Sequence, residues 1–239
     1  MLFSIITVCF NSERTIERTI QSVLQQGMKD YEYIIVDGAS KDRTVDIIRQ
    51  YEPLFEGRMK WISEPDQGIY DAMNKGIGMA SGELVGIVNS DDYYEQDALL
   101  KISQVYGGED YSIIYGLLRT VSEGKEVMVY LKNHEFLNQD MIAHPACFVT
   151  KKVYDKYGKY SLQYPYSADY EFMLRMREQK EVRFTETYHI ISNFSLDGAS
   201  GSVKAYRDTL RLRHEYHLIG NGEYWTQMLK SWVALKLGR

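Results

Sequence analysis

The sequence predicts an α/β protein built on a mostly parallel sheet, and three observations predict it. Four short apolar runs, at 2–9, 33–36, 59–62 and 84–88, are bounded by polar residues. The segments between them carry apolar residues at helical spacing. Acidic and amide side chains collect just past the ends of the runs. Strands alternating with helices imply a parallel sheet with right-handed crossovers. In such sheets ligands bind beyond the carboxyl ends of the strands.

The first run, LFSIITVC, is β-branched and almost wholly apolar, as a strand covered on both faces should be. Ile16, Ile20, Val23 and Leu24 then form one helical face. The second run, YIIV, ends at the turn signal Asp37-Gly38. Asp42 can cap the next helix, which carries Val45, Ile48 and Tyr51. After the third strand, Ile69, Ala72, Met73 and Ile77 make a third helical stripe. The fourth strand, LVGIV, leads into Asn89-Ser90-Asp91-Asp92.

The second half is less regular. Residues 113–130 read as two strands broken at Glu123-Gly124-Lys125, and 146–149 as another. A helix is predicted over 170–176, then strands at 182–184 and 189–194. From Val203 two helices are predicted, the last rich in tryptophan and lysine.

Composition excludes several classes. The chain of 239 residues carries a net charge of −5, which argues against a nucleic-acid partner. Cys9 and Cys147 both lie in apolar runs and are expected to be free, buried thiols of a reducing compartment. No run reaches the roughly 18–20 apolar residues that span a bilayer, and no signal-peptide pattern opens the chain. The expected location is cytoplasmic.

Several constellations could carry chemistry, each with a plainer alternative. Asp91-Asp92 repel one another unless a cation lies beside them; a hard divalent ion would suit them, and so would a simple turn before a helix. Asp37 is placed to accept hydrogen bonds from a ribose or base, or to close a turn. Asp71 and Lys75, at i and i+4, could be only a helix ion pair. Gly76-Ile77-Gly78 falls at the end of a helix and is discounted as a dinucleotide motif. Asp169 and Glu171 open a helix, where either could be a general base or an acid favoured by the helix dipole. His144 alone carries little signal.

Taken together, five landmarks resemble glycosyltransferase family 2 in the family's order. They are Ser4 to Asn11; Ile34 to Asp42, similar to "VDDGSTD" with Gly38 where a second Asp often stands; Glu64 to Gly76; Asn89-Ser90-Asp91-Asp92, similar to a DXD metal motif; and Ala168-Asp169-Tyr170-Glu171, similar to the "ED" base motif with Ala168 in place of Glu. The resemblance implies a GT-A fold: a Rossmann-like, mixed, mostly parallel sheet flanked by helices. Residues 1–200 would be the catalytic domain, with a nucleotide-sugar half at 1–95 and an acceptor half at 96–200. A helical tail would follow at 201–239, and Gly198 to Gly201 resembles a loop that closes over the diphosphate.

The resemblance further implies an inverting transferase. Asp169 would be the base and Asp92 the ligand of Mg²⁺ or Mn²⁺, with Asp91 beside it. Thr7, Asn11, Asp37, Asp71, Lys75 and Asp91 would bind the nucleotide. The donor would be a nucleotide-diphosphate sugar, with UDP favoured. The acceptor would be a saccharide or lipid-linked hydroxyl, in bacterial surface-polysaccharide assembly. A sugar-nucleotide pyrophosphorylase and an inactive nucleotide-sugar-binding protein are the competing readings. Tyr224, Trp225, Met228, Leu229, Trp232 and Leu235, with Lys230, Lys236 and Arg239 nearby, suit packing on the domain, a second subunit in a homodimer, or peripheral contact of residues 224–239 with the inner membrane face.

Overall fold

The computed structural model describes residues 1–196 and 202–236, the last four without side chains. The predicted alternation is present. β1 (Phe3–Cys9), β2 (Tyr31–Asp37), β3 (Met59–Ser63) and β4 (Leu84–Ile87) run parallel in the spatial order 3-2-1-4. They are joined through α1 (Ile16–Leu24), α2 (Thr44–Tyr51) and α3 (Ile69–Met79). All of β1 and β2 is buried, because helices cover both faces. Period-2 alternation sends Ile6 and Val8 toward Met73 and Ile77 of α3. It sends Phe3 and Ile5 toward Ile16, Ile20 and Val23 of α1.

The second half extends the same sheet. β4 pairs antiparallel with β8 (Cys147–Thr150), and β8 antiparallel with β6 (Ser112–Ser122). β9 (Arg183–Ser195) lies parallel to β6, and β5 (Tyr93–Tyr94) pairs antiparallel with β9. β7 (Lys125–Tyr130) returns from β6 through Glu123-Gly124, both at positive φ, as a two-residue hairpin turn favours. The sheet is therefore mixed and mostly parallel, flanked by helices. Among these are α4 (Ala98–Val105), α5 (Lys151–Tyr157) and α6 (Ala168–Arg177). The two helices predicted from Val203 are α7 (Val203–Glu215) and α8 (Asn221–Lys236).

Two strands predicted at 182–184 and 189–194 are one strand, β9. Polar Thr185, Glu186 and Tyr188 interrupt its apolar pattern, and its register against β6 shifts between Tyr115 and Leu118. That irregularity absorbs the interruption. The sequence reading also passed over α5, whose buried residues are only Val153 and Tyr154.

Gly76 is a packing glycine. A Cβ there would lie 2.6 Å from Ile6 Cγ2 and 3.4 Å from Val36 Cγ2, so its absence lets α3 sit directly on β1 and β2. Gly76→Val is expected to destabilise the fold by about 1–3 kcal/mol. In a chain of this size that lowers the melting temperature by several degrees, readable by calorimetry.

Candidate active site

The strand ends open into one large cleft of about 1430 Å³. That exceeds the roughly 300–1,000 Å³ of a typical ligand pocket and leaves room for two substrates. One wall comes from the loops after β1 and β4 and from the start of α3. The other comes from His144, the start of α6 and one side of α7.

The loops of the first wall brace each other. Ser12 Oγ and Ser90 Oγ are 2.8 Å apart, joining the loop after β1 to the loop after β4. The Asn11 amide donates to Ser40 Oγ at 2.8 Å, and Asn11 Oδ1 accepts from the Lys41 amide at 2.8 Å. Asn11 itself adopts φ 49° and lines the cleft. Beside it, Phe10 is an exposed ring at 62%.

Four residues predicted to touch nucleotide stand elsewhere. Thr7 is fully buried and accepts the Tyr33 hydroxyl at 2.9 Å; it points to the same face as Ile5, into the α1 core. Asp37 is also fully buried. Its carboxylate accepts Ser63 Oγ at 2.6 Å, the Ser40 amide at 3.0 Å and Ser40 Oγ. It thus ties the turn after β2 to the end of β3. Asp71 and Lys75 do not line the cleft. Lys75 Nζ pairs with Glu64 at 2.9 Å and Asp71 at 3.7 Å and donates to the Pro65 carbonyl at 2.8 Å. This clamp shapes the loop ahead of α3.

That loop delivers a residue the sequence reading did not single out, Asp66. A Cβ on Gly38 would lie 2.5 Å from Asp66 Oδ2 and 3.4 Å from the Phe10 ring. Asp66 therefore fills the space of the acidic residue missing at position 38. It lines the cleft with Gln67 and Gly68, and Gly68 turns into α3 at φ 121°, a backbone open to glycine.

The acidic pair divides. Asp91 lines the cleft, whereas Asp92 is fully buried beneath it. Asp92 Oδ1 accepts the Ser195 amide at 2.9 Å and so holds the end of β9. Its Oδ2 and the nearby Asn89 Oδ1 are buried without a hydrogen-bond partner among the described residues. Burial raises the Asp91 carboxyl above the usual range, against the pull of Arg18 and His144. Burial, with Asp91 adding, raises Asp92 much further. Arg18 donates to the Asp91 carbonyl at 2.7 Å and steadies the loop over the Tyr93 ring. The predicted order, Asp92 foremost with Asp91 beside it, is thus reversed at the cleft wall.

Of the two acids opening α6, Asp169 faces the cleft and Glu171 does not. Glu171 is held by Arg175 at 2.9 and 3.1 Å and by the Tyr216 hydroxyl at 2.8 Å. Asp169 Oδ1 accepts the Tyr70 hydroxyl at 2.7 Å and the Tyr170 amide at 2.9 Å. No hydrogen bond to its second oxygen is formed among the described residues. His144, which alone carries little signal in the sequence, lines the cleft, and its Nδ1 has no hydrogen-bond partner among the described residues. Burial lowers its pKa, opposed by Asp169 and then Asp91, so the imidazole lies within electrostatic reach of both carboxylates.

The tail sorts into two faces. Tyr224 of α8 stacks on His214 of α7 at 4.3 Å, while Trp225, Leu229 and Trp232 are exposed at 67%, 68% and 52%. Tyr224 and the half-buried Met228, expected on one helical face with Trp225, Leu229 and Trp232, are less exposed than those three. Gly198 to Gly201, the Leu235 and Lys236 side chains and Arg239 lie outside the described residues. No helix among the described residues is long and apolar enough to cross a membrane.

A family model described as Glycosyl transferase family 2 matches residues 4–196. A PGL/p-HBAD biosynthesis glycosyltransferase of Mycobacterium bovis (strain BCG / Pasteur 1173P2) is 31% identical over 176 residues, 73% of this chain and 69% of that protein. Staphylococcus aureus TarS 1–349, solved with UDP-GlcNAc, superposes with a TM-score of 0.70 at 19% identity, covering 92% of this chain and 68% of that one. This chain spans 40% of the longer TarS structure. The Pyrobaculum calidifontis mannosyltransferase PcManGT, solved with GDP-Man and Mn²⁺, gives a TM-score of 0.69 at 15% identity, covering 98% of this chain and 69% of that one. These neighbours share the GT-A fold.

Proposed function

Since the chain belongs to glycosyltransferase family 2, we propose that it is an inverting, metal-dependent enzyme that moves a sugar from a UDP-sugar to a hydroxyl of a saccharide or lipid-linked acceptor. Bacterial surface-glycan or glycolipid assembly is the proposed setting, in keeping with the named role of the mycobacterial relative. One observation carries the reading: Asp91 and Asp169, from opposite halves of the catalytic sequence, face the same cleft.

Residues 1–95 are proposed to hold the donor. The Asp66 carboxylate beside the exposed Phe10 ring suits a uracil, whose imide N–H donates while its face stacks. Asn11 would meet the ribose or the phosphates. Asp37, Asp71 and Lys75 would act indirectly, by fixing the loops that carry Gly38 and Asp66.

The donor set suits a hard divalent ion, Mg²⁺ or Mn²⁺. Asp91 is an oxygen ligand on the wall, and two unpartnered oxygens lie next to it. No cluster of three or more His, Cys, Asp or Glu side chains able to hold a metal occurs among the described residues. Such an ion would be held by one or two protein oxygens together with substrate phosphates and water. When bound, such an ion would neutralise charge developing on the leaving diphosphate. Asp92 would fix the loop from below.

Asp169 is assigned to accept the proton of the acceptor hydroxyl through its free oxygen, while Tyr70 orients the other. One base opposite the leaving group gives inversion. The test is proton NMR of the product formed from an α-linked UDP-sugar, drawn from a panel of nucleotide sugars and acceptors. A β-linked product is expected; an α-linked product would remove the single-displacement mechanism.

The outward stripe Trp225, Leu229 and Trp232 supports peripheral contact with the membrane face that presents a lipid-linked acceptor. Liposome flotation of the full chain is expected to exceed that of a chain ending at Gly220. Equal flotation, or a concentration-dependent dimer lost with the tail, would reassign the stripe to protein packing.

A further inference from the structure

The α7 side of the cleft carries a cation, Arg213, without an ion-pair partner among the described residues. The inward side of α7 repeats at helical spacing, Ser202, Tyr206, Thr209 and Arg213, and all four line the cleft. Thr209 Oγ1 lies 2.8 Å from Ser167 Oγ, two residues before Asp169. Arg213 stands one turn further along, about 6 Å by helix rise, and lines the cleft together with Tyr170.

Lys132, Arg211 and Arg177 nearby are ion-paired, whereas Arg213 is not among the described residues. Lys132 on the same wall pairs with Asp140 at 2.5 Å. Arg211 pairs with Asp208 at 3.5 Å and Glu215 at 3.7 Å. Arg177 pairs with Glu178 at 3.7 Å. Arg213 has no carboxylate within ion-pair distance among the described residues, and its Nε is buried without an acceptor. A buried N–H without an acceptor is costly unless a ligand supplies an oxygen, and the planar guanidinium fork of this half-buried side chain suits a phosphate or carboxylate.

We propose that Arg213 is an anion subsite for the acceptor: it binds a phosphate or carboxylate group carried next to the acceptor sugar. The inference rests on the glycosyltransferase reading above and narrows its acceptor to anionic ones. One helical turn between Thr209 and Arg213 is comparable to the width of a sugar ring. An acceptor hydroxyl at Asp169 would thus leave its charged substituent at Arg213. The donor diphosphate is the other source of the same chemistry, and it is expected near Asp91, on the opposite wall.

The test uses the full chain, as wild type, Arg213→Gln and Arg213→Lys, titrated calorimetrically with three probes. These are n-octyl phosphate, the neutral n-octyl glucoside, and UDP with Mn²⁺. Octyl phosphate is expected to bind wild type about 10-fold or more tighter than Arg213→Gln, with Arg213→Lys between them. Octyl glucoside and UDP should bind all three alike, and unchanged UDP binding also reports an intact fold. Equal binding of octyl phosphate to wild type and Arg213→Gln, including none to either, overturns the proposal. So does a parallel loss of UDP affinity in Arg213→Gln, which would assign the residue to the donor diphosphate. Binding of UDP to wild type is read separately and speaks to the transferase reading itself.

Discussion

Asp169→Asn is expected to cut sugar transfer by about 10²–10⁴-fold, the range of general-base assistance. The amide keeps the shape of the carboxylate and can still accept the Tyr70 hydroxyl, but it cannot take the acceptor's proton. UDP affinity should stay within about 2-fold, since the donor end of the cleft is untouched. The loss should fall on kcat, with the acceptor KM little changed. Glu171→Gln should cost far less activity, because its partners Arg175 and Tyr216 belong to packing behind α6. A larger loss from Glu171→Gln, with the fold intact by circular dichroism, would move the base to that residue.

Asp91→Asn is expected to have an effect of similar size, on the order of 10²-fold or more in kcat/KM. A divalent ion supplies several kcal/mol to a transition state that develops charge on a leaving diphosphate. Asp92→Asn should retain more activity than Asp91→Asn, since its Oδ1 bond to the Ser195 amide can be kept by an amide oxygen. The ranking separates the residue at the wall from the one below it, which adjacency in sequence could not do. Steady-state rates of the two variants over a range of Mn²⁺ concentrations would read it.

What the sequence made legible follows periodicity. The alternating first half could be read because its strands are apolar throughout and its helices amphipathic, so β1 to β4 fall close to their predicted bounds. In the second half β9 reads as two strands, since Thr185, Glu186 and Tyr188 interrupt the apolar pattern of a partly exposed strand. There α5 is hidden because a charged surface helix with two buried residues has no stripe to see.

Site residues were legible where chain position alone decides exposure. Asn11, Asp91 and Asp169 lie beyond an element's end or in its first turn, and all three reach the cleft. Thr7 lies inside β1, where alternation turns it into the core. Asp37 ends β2 but is captured by Ser40 and Ser63, hydroxyls that no periodicity reveals as its partners. Asp66 was missed because its proximity to Gly38 comes from the fold. The glycine at 38 was nevertheless a signal: an acid absent from one loop leaves space for an acid from another. His144 and Arg213 could be found only from the burial of their unpartnered nitrogens.

The most direct measurement is calorimetric titration of UDP into wild type and Asp91→Asn, each with Mn²⁺ and with chelator. A cleft that binds the diphosphate through a cation at Asp91 predicts wild-type binding that requires Mn²⁺ and weakens sharply in the variant. UDP binding indifferent to chelator, or equally tight in Asp91→Asn, would contradict it.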